Sequence, residues 1–78
     1  MVYPIVMRNE KDVLRVNEIA CRQPFDLYIS TVNGSYSYAD AKSLLGLFNY
    51  IGREVYLVGP DDIDPKYFSK LIKRMKLS

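Results

Sequence analysis

Few residues of this sequence could do chemistry. The sequence contains no histidine and only one cysteine, so the commonest general base and the commonest metal ligand are missing. No pair of carboxylates, no pairing of a nucleophile with a base and no spacing of metal ligands rises above chance. The glycines of "VNG" and "VGP" lack the spacing and the lysine of a nucleotide-binding loop. We therefore expect that the chain is not an enzyme and has no cofactor and no metal.

Three aspartates near the end of the chain could be ligands of a cation. Asp61, Asp62 and Asp64 offer the carboxylate oxygens that hard cations prefer. Asp64 also stands directly before a proline and an apolar repeat, which is the position of a helix N-cap, where aspartate is favoured. Capping explains the cluster more simply, so we predict a helix start here and no metal site.

Five basic residues crowd the last segment and could contact phosphates: Lys66, Lys70, Lys73, Arg74 and Lys76. Small α/β sheets with exposed tyrosines often bind RNA, so a small basic RNA-binding module is the alternative function. Against it, the formal net charge is only +2, and basic residues are also favoured near the C-terminus of a helix. An aromatic-rich signature such as "GFGFV" is also missing. We therefore favour a solvated helix face and expect no nucleic-acid partner.

Regular elements must position these residues, and the first half of the chain predicts three of them. Residues 2–8 are strand-type, and Pro4 among them indicates an edge strand. A helix follows with Asn9 as its N-cap, and "QPF" ends it because a residue before proline avoids helical angles. Its core positions recur at helical spacing: Val13, Val16, Ile19 and Ala20. Apolar and polar residues then alternate over 25–30, which predicts a second strand.

The second half of the chain predicts four further elements. The "NG" at 33–34 predicts an antiparallel hairpin with a third strand. Residues 41–51 have helical spacing, with Leu44, Leu47 and Ile51 on one stripe. A glycine stop, a strand over 54–58 and a helix capped by Asp64 follow. The order βαββαβα predicts one antiparallel or mixed sheet covered by helices, an α+β two-layer sandwich whose second sheet face is exposed or only weakly covered.

The whole chain, 1–78, fits a single domain. It has 78 residues, of which 49% are hydrophobic, and no run of about 18 apolar residues. The first twelve residues lack the basic stretch and long apolar run of a secretory signal, and a lone Cys21 cannot form an internal disulfide. These features predict a cytoplasmic protein that does not contact a membrane.

Two stretches, "DAKSLLGLF" (40–48) and "EVYLVGPDD" (54–62), are followed by an apolar C-terminal helix. Here the chain resembles the HPr-like phosphocarrier proteins of the bacterial phosphotransferase system. That family typically shows a lysine-serine pair, two bulky apolar residues, a glycine and two more apolar residues at this place. The resemblance runs from about Phe25 to Met75. It implies the HPr-like sandwich, with a four-stranded antiparallel sheet covered by three helices.

One feature of that family is missing from this sequence. In its members, an active histidine at the start of the first helix, followed two residues later by an arginine, carries a phosphoryl group between a donor enzyme and sugar-specific acceptors. An ungapped count from Asp26 assigns Asn9 to the histidine position and Lys11 to the arginine position. Because asparagine cannot become a phosphohistidine, the comparison implies a member without phosphocarrier activity. The helix end and Lys11 could still attract an anion.

Ser43 matches a second feature of the family. Many members carry a serine here that a dedicated kinase phosphorylates, and the phosphorylated form binds a transcription regulator. A phosphate at the start of a helix is stabilised by the helix dipole and by free N–H groups. The alternative is that Ser43, or Asp40 before it, serves only as an N-cap, with Gly46 allowing close packing against the sheet.

The second helix is more apolar than one buried stripe requires. If the stripe of Leu47 faces the sheet, Leu45 and Phe48 fall toward the edge, and bulky apolar residues exposed together mark an interaction site. We predict one partner-binding patch formed by Lys42, Ser43, Leu45 and Phe48, with Lys42 at its rim. The alternative is a helix rolled so that both stripes are buried.

These observations predict a non-catalytic HPr-like protein without phosphocarrier activity, acting as a regulatory protein-binding module. By the resemblance, its function is related to the sugar phosphotransferase system or to carbon control. The implied partner is a transcription regulator, a kinase or a component of the phosphotransferase system.

Overall fold

Seven segments of regular structure lie within the residues that the computed structural model describes, 1–31 and 38–78. In chain order they are the strand β1 (Val2–Val6), the helix α1 (Glu10–Cys21), the strands β2 (Tyr28–Ser30) and β3 (Tyr38–Asp40), the helix α2 (Leu44–Phe48), the strand β4 (Glu54–Val58) and the helix α3 (Pro65–Met75). The predicted βαββαβα order and the α+β two-layer architecture are confirmed. The "NG" turn predicted at 33–34 lies outside the described residues.

The described strands form one four-stranded sheet in the order β1-β4-β2-β3, and every neighbouring pair is antiparallel. Pro4 therefore lies in an edge strand, as predicted. Gly59 N–H donates to the Met1 carbonyl at 2.8 Å, and the Met1 amino group donates to the Gly59 carbonyl at 3.3 Å. From this pair onward, hydrogen-bonded and non-hydrogen-bonded residue pairs alternate along β1 and β4. Pro4 lies opposite Tyr56 in a non-hydrogen-bonded pair. The bonding between the two strands therefore needs no N–H from proline at this position.

The predicted caps of the two longer helices are confirmed. The Asn9 side-chain oxygen accepts the Asp12 N–H at 3.0 Å at the start of α1, and the Asp64 carboxylate accepts the Lys66 N–H at 3.0 Å at the start of α3. Asp61 and Asp62 are exposed. Among the described residues, no group of three or more His, Cys, Asp or Glu could hold a metal ion.

The helix α2 is shorter than the predicted 41–51. Before it, the Asp40 carboxylate accepts the Lys42 N–H at 2.9 Å and the Asp40 carbonyl accepts the Ser43 N–H at 2.9 Å, which holds this segment in a turn. After Phe48 the backbone hydrogen bonds join residues three positions apart, as in tight turns. The Gly52 N–H then donates to the Met7 carbonyl at 2.8 Å. Gly52 has φ +79°, a left-handed conformation that favours glycine. A local turn at Asp40 thus replaces the predicted start of the helix, and tight turns held by the bond to Met7 follow its end.

The core lies between the helices and one face of the sheet. The buried strand residues of that face are Ile5, Ile29, Val55 and Leu57. From α1 and α3 the core takes Val13, Val16, Ile19, Ala20, Phe68, Leu71 and Met75. On the opposite face Tyr28, Tyr56 and Val58 are half-buried and Pro4 is exposed, whereas Ser30 is buried. Apart from Ser30, the described residues of this face agree with the predicted open surface.

Candidate functional site

The helices α1 and α2 lie side by side and run in opposite directions. The Asn17 amide donates to the Ala41 carbonyl at 3.1 Å, and the Cys21 Sγ lies 3.9 Å from the Lys42 carbonyl oxygen. These contacts place the start of the α2 segment beside the end of α1. The Gly52 bond to Met7 places its end before the start of α1. The two helices are therefore antiparallel neighbours in the helical layer.

Leu45 is the most exposed large apolar residue in the described part of the chain, with 82% of its surface accessible. Leu47, two residues later and about 200° around the helix, is fully buried. Leu47 anchors α2 in the core, so Leu45 points away from it. The predicted exposure of Leu45 agrees with the structure.

Phe48 is neither fully exposed nor fully buried, the two alternatives that its spacing left open. It is half-buried and packs against the core cluster, as do Leu44 and Ile51. Of the predicted inner stripe, only Leu47 is fully buried. Because α2 has little more than one turn, its half-buried residues touch the core on one side and solvent on the other. Phe48 can therefore present only part of its ring to a partner.

The Ser43 hydroxyl is not used as a cap. Ser43 occupies the N-cap position of α2 by its backbone angles, but its side chain makes no capping hydrogen bond. Asp40 bonds the preceding turn instead. A Cβ added at Gly46 would meet only Ser43, at 3.4 Å from Oγ and 3.7 Å from Cβ. The expected close packing of Gly46 against the sheet is therefore wrong: this glycine leaves the side of Ser43 uncovered.

Lys42 is held by its own chain. Its ammonium group lies 3.3 Å from the Gln23 carbonyl oxygen and 3.6 Å from the Asp26 carboxylate. The side chain is half-buried. Lys42 thus links the start of α2 to the segment after α1, and it is a positioning residue at the rim of the patch.

One exposed apolar residue on α1 was not predicted from the sequence. Leu14 is 49% exposed and lies on α1 three residues before Asn17 and seven before Cys21, the two residues that contact the α2 segment. This spacing puts all three on one stripe of α1. The signal was present in the sequence, because Leu14 is a large apolar residue outside the Val13 and Val16 stripe.

Side chains of this protein occupy the N-terminus of α1. Asn9 caps the helix, and its amide nitrogen lies 3.4 Å from the Ser78 hydroxyl, while Lys11 is exposed. Asp12 is fully buried and accepts hydrogen bonds from the Arg8 N–H at 2.9 Å and from Ser78. An external anion at this helix end would therefore meet a carboxylate.

The buried Asp12 carboxyl has a pKa below its ordinary value. Burial opposes its ionisation, but the hydrogen bonds from the Arg8 N–H and from the Ser78 N–H and hydroxyl outweigh that effect, with help from the charge of Arg15, 3.8 Å away. The position of Asp12 has a signal in the sequence, the spacing of "NEKD", in which an N-cap is followed three residues later by an acid. The partner Ser78 has no local signal.

Comparison of the chain with models of known protein families, with curated proteins and with solved structures returned no match. The resemblance to the HPr-like family therefore stays a prediction from the sequence. No helix of the described residues combines the length and the apolar character needed to cross a membrane.

Proposed function

We propose that this chain is an HPr-like protein without phosphocarrier activity that binds a protein partner through the α2 patch, formed by Lys42, Ser43, Leu45 and Phe48. The observation that carries the proposal is the 82% exposure of Leu45 on a helix whose N-cap residue, Ser43, is exposed and makes no capping hydrogen bond. Leu45 does not pack in the core, and bulky apolar residues that are exposed together mark interaction sites. Leu14 extends the apolar surface along α1.

The partner in this proposal is a protein of bacterial sugar uptake or carbon control: a transcription regulator, a kinase or a phosphotransferase-system component. This choice rests on the resemblance of "DAKSLLGLF" to the HPr-like family. The structural support is that Ser43 is exposed and its oxygen is open on the side of Gly46. A phosphate there would add about two negative charges at the start of α2, two residues before Leu45 in the chain, which changes the partner that the surface accepts.

The absence of phosphocarrier activity in this proposal follows from chemistry. The sequence has no imidazole, and the Asn9 side chain is occupied as the N-cap of α1. Neither its amide nor the ammonium group of Lys11 replaces a phosphohistidine.

The test is an NMR titration of the ¹⁵N-labelled chain with each purified candidate partner: the donor enzyme, the serine kinase and the transcription regulator. We expect at least one of them to shift or broaden the amide signals of 42–48 and of Leu14. A response centred on the basic residues of α3, or no response to any of the three, would contradict the proposal. Repeating the titration with a chain phosphorylated at Ser43 measures the effect of the phosphate.

A further inference from the structure

A groove lies between the edge strand β1 and the end of α3, and none of the α2 patch residues lines it. Its volume is about 600 Å³, within the range of small-molecule sites. Its most deeply buried lining residues are Ile5 and Val55, and the partly exposed Tyr3, Ile72 and Leu77 add further apolar surface. The groove therefore has the size and the apolar surface that a small organic molecule needs.

The charged side chains of the groove are mostly cationic. Arg8, Lys73 and Lys76 line it together with one acidic side chain, Glu54. Lys73 and Lys76 are exposed, and neither forms an ion pair with a described residue. Arg8 donates from Nη1 to the Ser78 carbonyl and keeps further N–H donors. Positive charge thus stands beside apolar surface, which is complementary to an amphipathic anion.

The edge of β1 favours a small molecule over an added peptide strand. Met1 and Gly59 form a hydrogen-bonded pair, and such pairs alternate with non-hydrogen-bonded ones along β1. The backbone N–H and C=O positions of Val2, Pro4 and Val6 therefore face the free edge of the sheet. A partner strand would need an N–H from each of these residues, and Pro4 in the centre has none. An occupant that needs no backbone ladder is therefore the better fit.

We propose that this groove binds a small organic carboxylate with an apolar body, of the fatty-acid or arylalkanoate class. Its carboxylate lies beside the ammonium groups of Lys73 and Lys76, and its apolar body covers Tyr3, Ile72 and Leu77. The site is separate from the α2 patch and does not depend on the function proposed for it.

The experiment is an NMR titration of the full ¹⁵N-labelled chain with sodium octanoate, with octanamide as the uncharged probe of the same apolar body. We expect saturable shifts in β1, Val55 and the last turn of α3, and no shifts in 42–48. Octanamide should bind at least about tenfold more weakly, since it lacks the charge that the lysines attract. No saturable shift with octanoate, or equal binding of octanamide, would overturn the proposal.

Two double variants separate a local charge effect from a general one. Lys73→Glu with Lys76→Glu reverses the charge of the groove, whereas Lys66→Glu with Lys70→Glu makes the same change in net charge on α3 outside it. We expect about a tenfold weaker octanoate affinity in the first pair and less than about twofold in the second. An equal loss in both pairs contradicts the site. Displacement of octanoate by an acidic peptide or a single-stranded oligonucleotide of higher affinity would assign the groove to another occupant and overturn the proposal.

Discussion

Replacing Asp12 by asparagine tests the fold through its most deeply buried charge. The carboxylate accepts hydrogen bonds from the Arg8 N–H at 2.9 Å, from the Ser78 N–H at 3.2 Å and from the Ser78 hydroxyl at 3.1 Å. Asparagine keeps the shape but turns one oxygen into a donor, so at least one of these bonds is lost. At about 1.5–3 kcal/mol for a hydrogen bond to a charged group, we expect the free energy of unfolding to fall by about 2–4 kcal/mol.

The pH dependence of this loss has a definite sign. The Asp12 pKa is lowered in the folded chain from its ordinary value of 3.8, so the ionised form stabilises the fold. That contribution is complete above the unfolded pKa and is lost as the pH falls through the lower folded pKa. The difference between the wild-type chain and Asp12→Asn should therefore be constant between pH 7 and pH 5 and shrink below about pH 4.

The assay is urea unfolding followed by circular dichroism, at pH 7, 5 and 3, with Asp62→Asn as the control. Asp62 is exposed, so its variant should change the free energy of unfolding by less than about 0.5 kcal/mol. A loss below about 0.5 kcal/mol for Asp12→Asn at pH 7, or a loss that stays the same at pH 3, would refute the role assigned to this carboxylate.

Three other outcomes are expected. Leu47→Ala should cost about 2–5 kcal/mol of unfolding free energy and Leu45→Ala less than about 1 kcal/mol, with Phe48→Ala between them; urea unfolding measures all three, and equal losses at Leu45 and Leu47 would contradict the orientation of α2. Incubated with the donor enzyme and phosphoenolpyruvate, the chain should take up no acid-labile phosphate, and stoichiometric uptake would overturn the absence of phosphocarrier activity. Binding to generic RNA should be weak and vanish near physiological salt; tight binding at about 0.2 M salt that falls in a Lys70→Glu and Lys73→Glu variant would favour the alternative function.

The elements whose signals are local could be predicted from the sequence. The strand β4 has the predicted bounds, 54–58, because Val55 and Leu57 alternate with less buried residues between glycines. The caps Asn9 and Asp64 are local too, since each bonds a backbone N–H two or three residues away. Helical spacing then identified the buried face of α1.

Apart from the exposure of Leu14, the features that sequence reasoning missed depend on tertiary packing. The turn that follows α2 is held by the Gly52 N–H, which reaches the Met7 carbonyl, 45 positions back along the chain. Asp12 is buried under Ser78, which is 66 positions away. The half-burial of Phe48 follows from how a helix of one turn sits on the core. Helical spacing assigns the apolar residues of α2 to two stripes, but it does not determine how so short a helix is rotated about its axis against the core.

The central claim, that the α2 patch binds a protein partner, is tested most directly by calorimetric titration of two matched variants against a partner that responds in the NMR experiment. Leu45→Ser and Tyr3→Ser each remove one exposed apolar side chain, and Tyr3 lies on β1, away from the patch. We predict that Leu45→Ser weakens the affinity at least about tenfold, as for a central interface residue, while Tyr3→Ser changes it less than about twofold. An unchanged affinity for Leu45→Ser, or an equal loss for both variants, would contradict the claim.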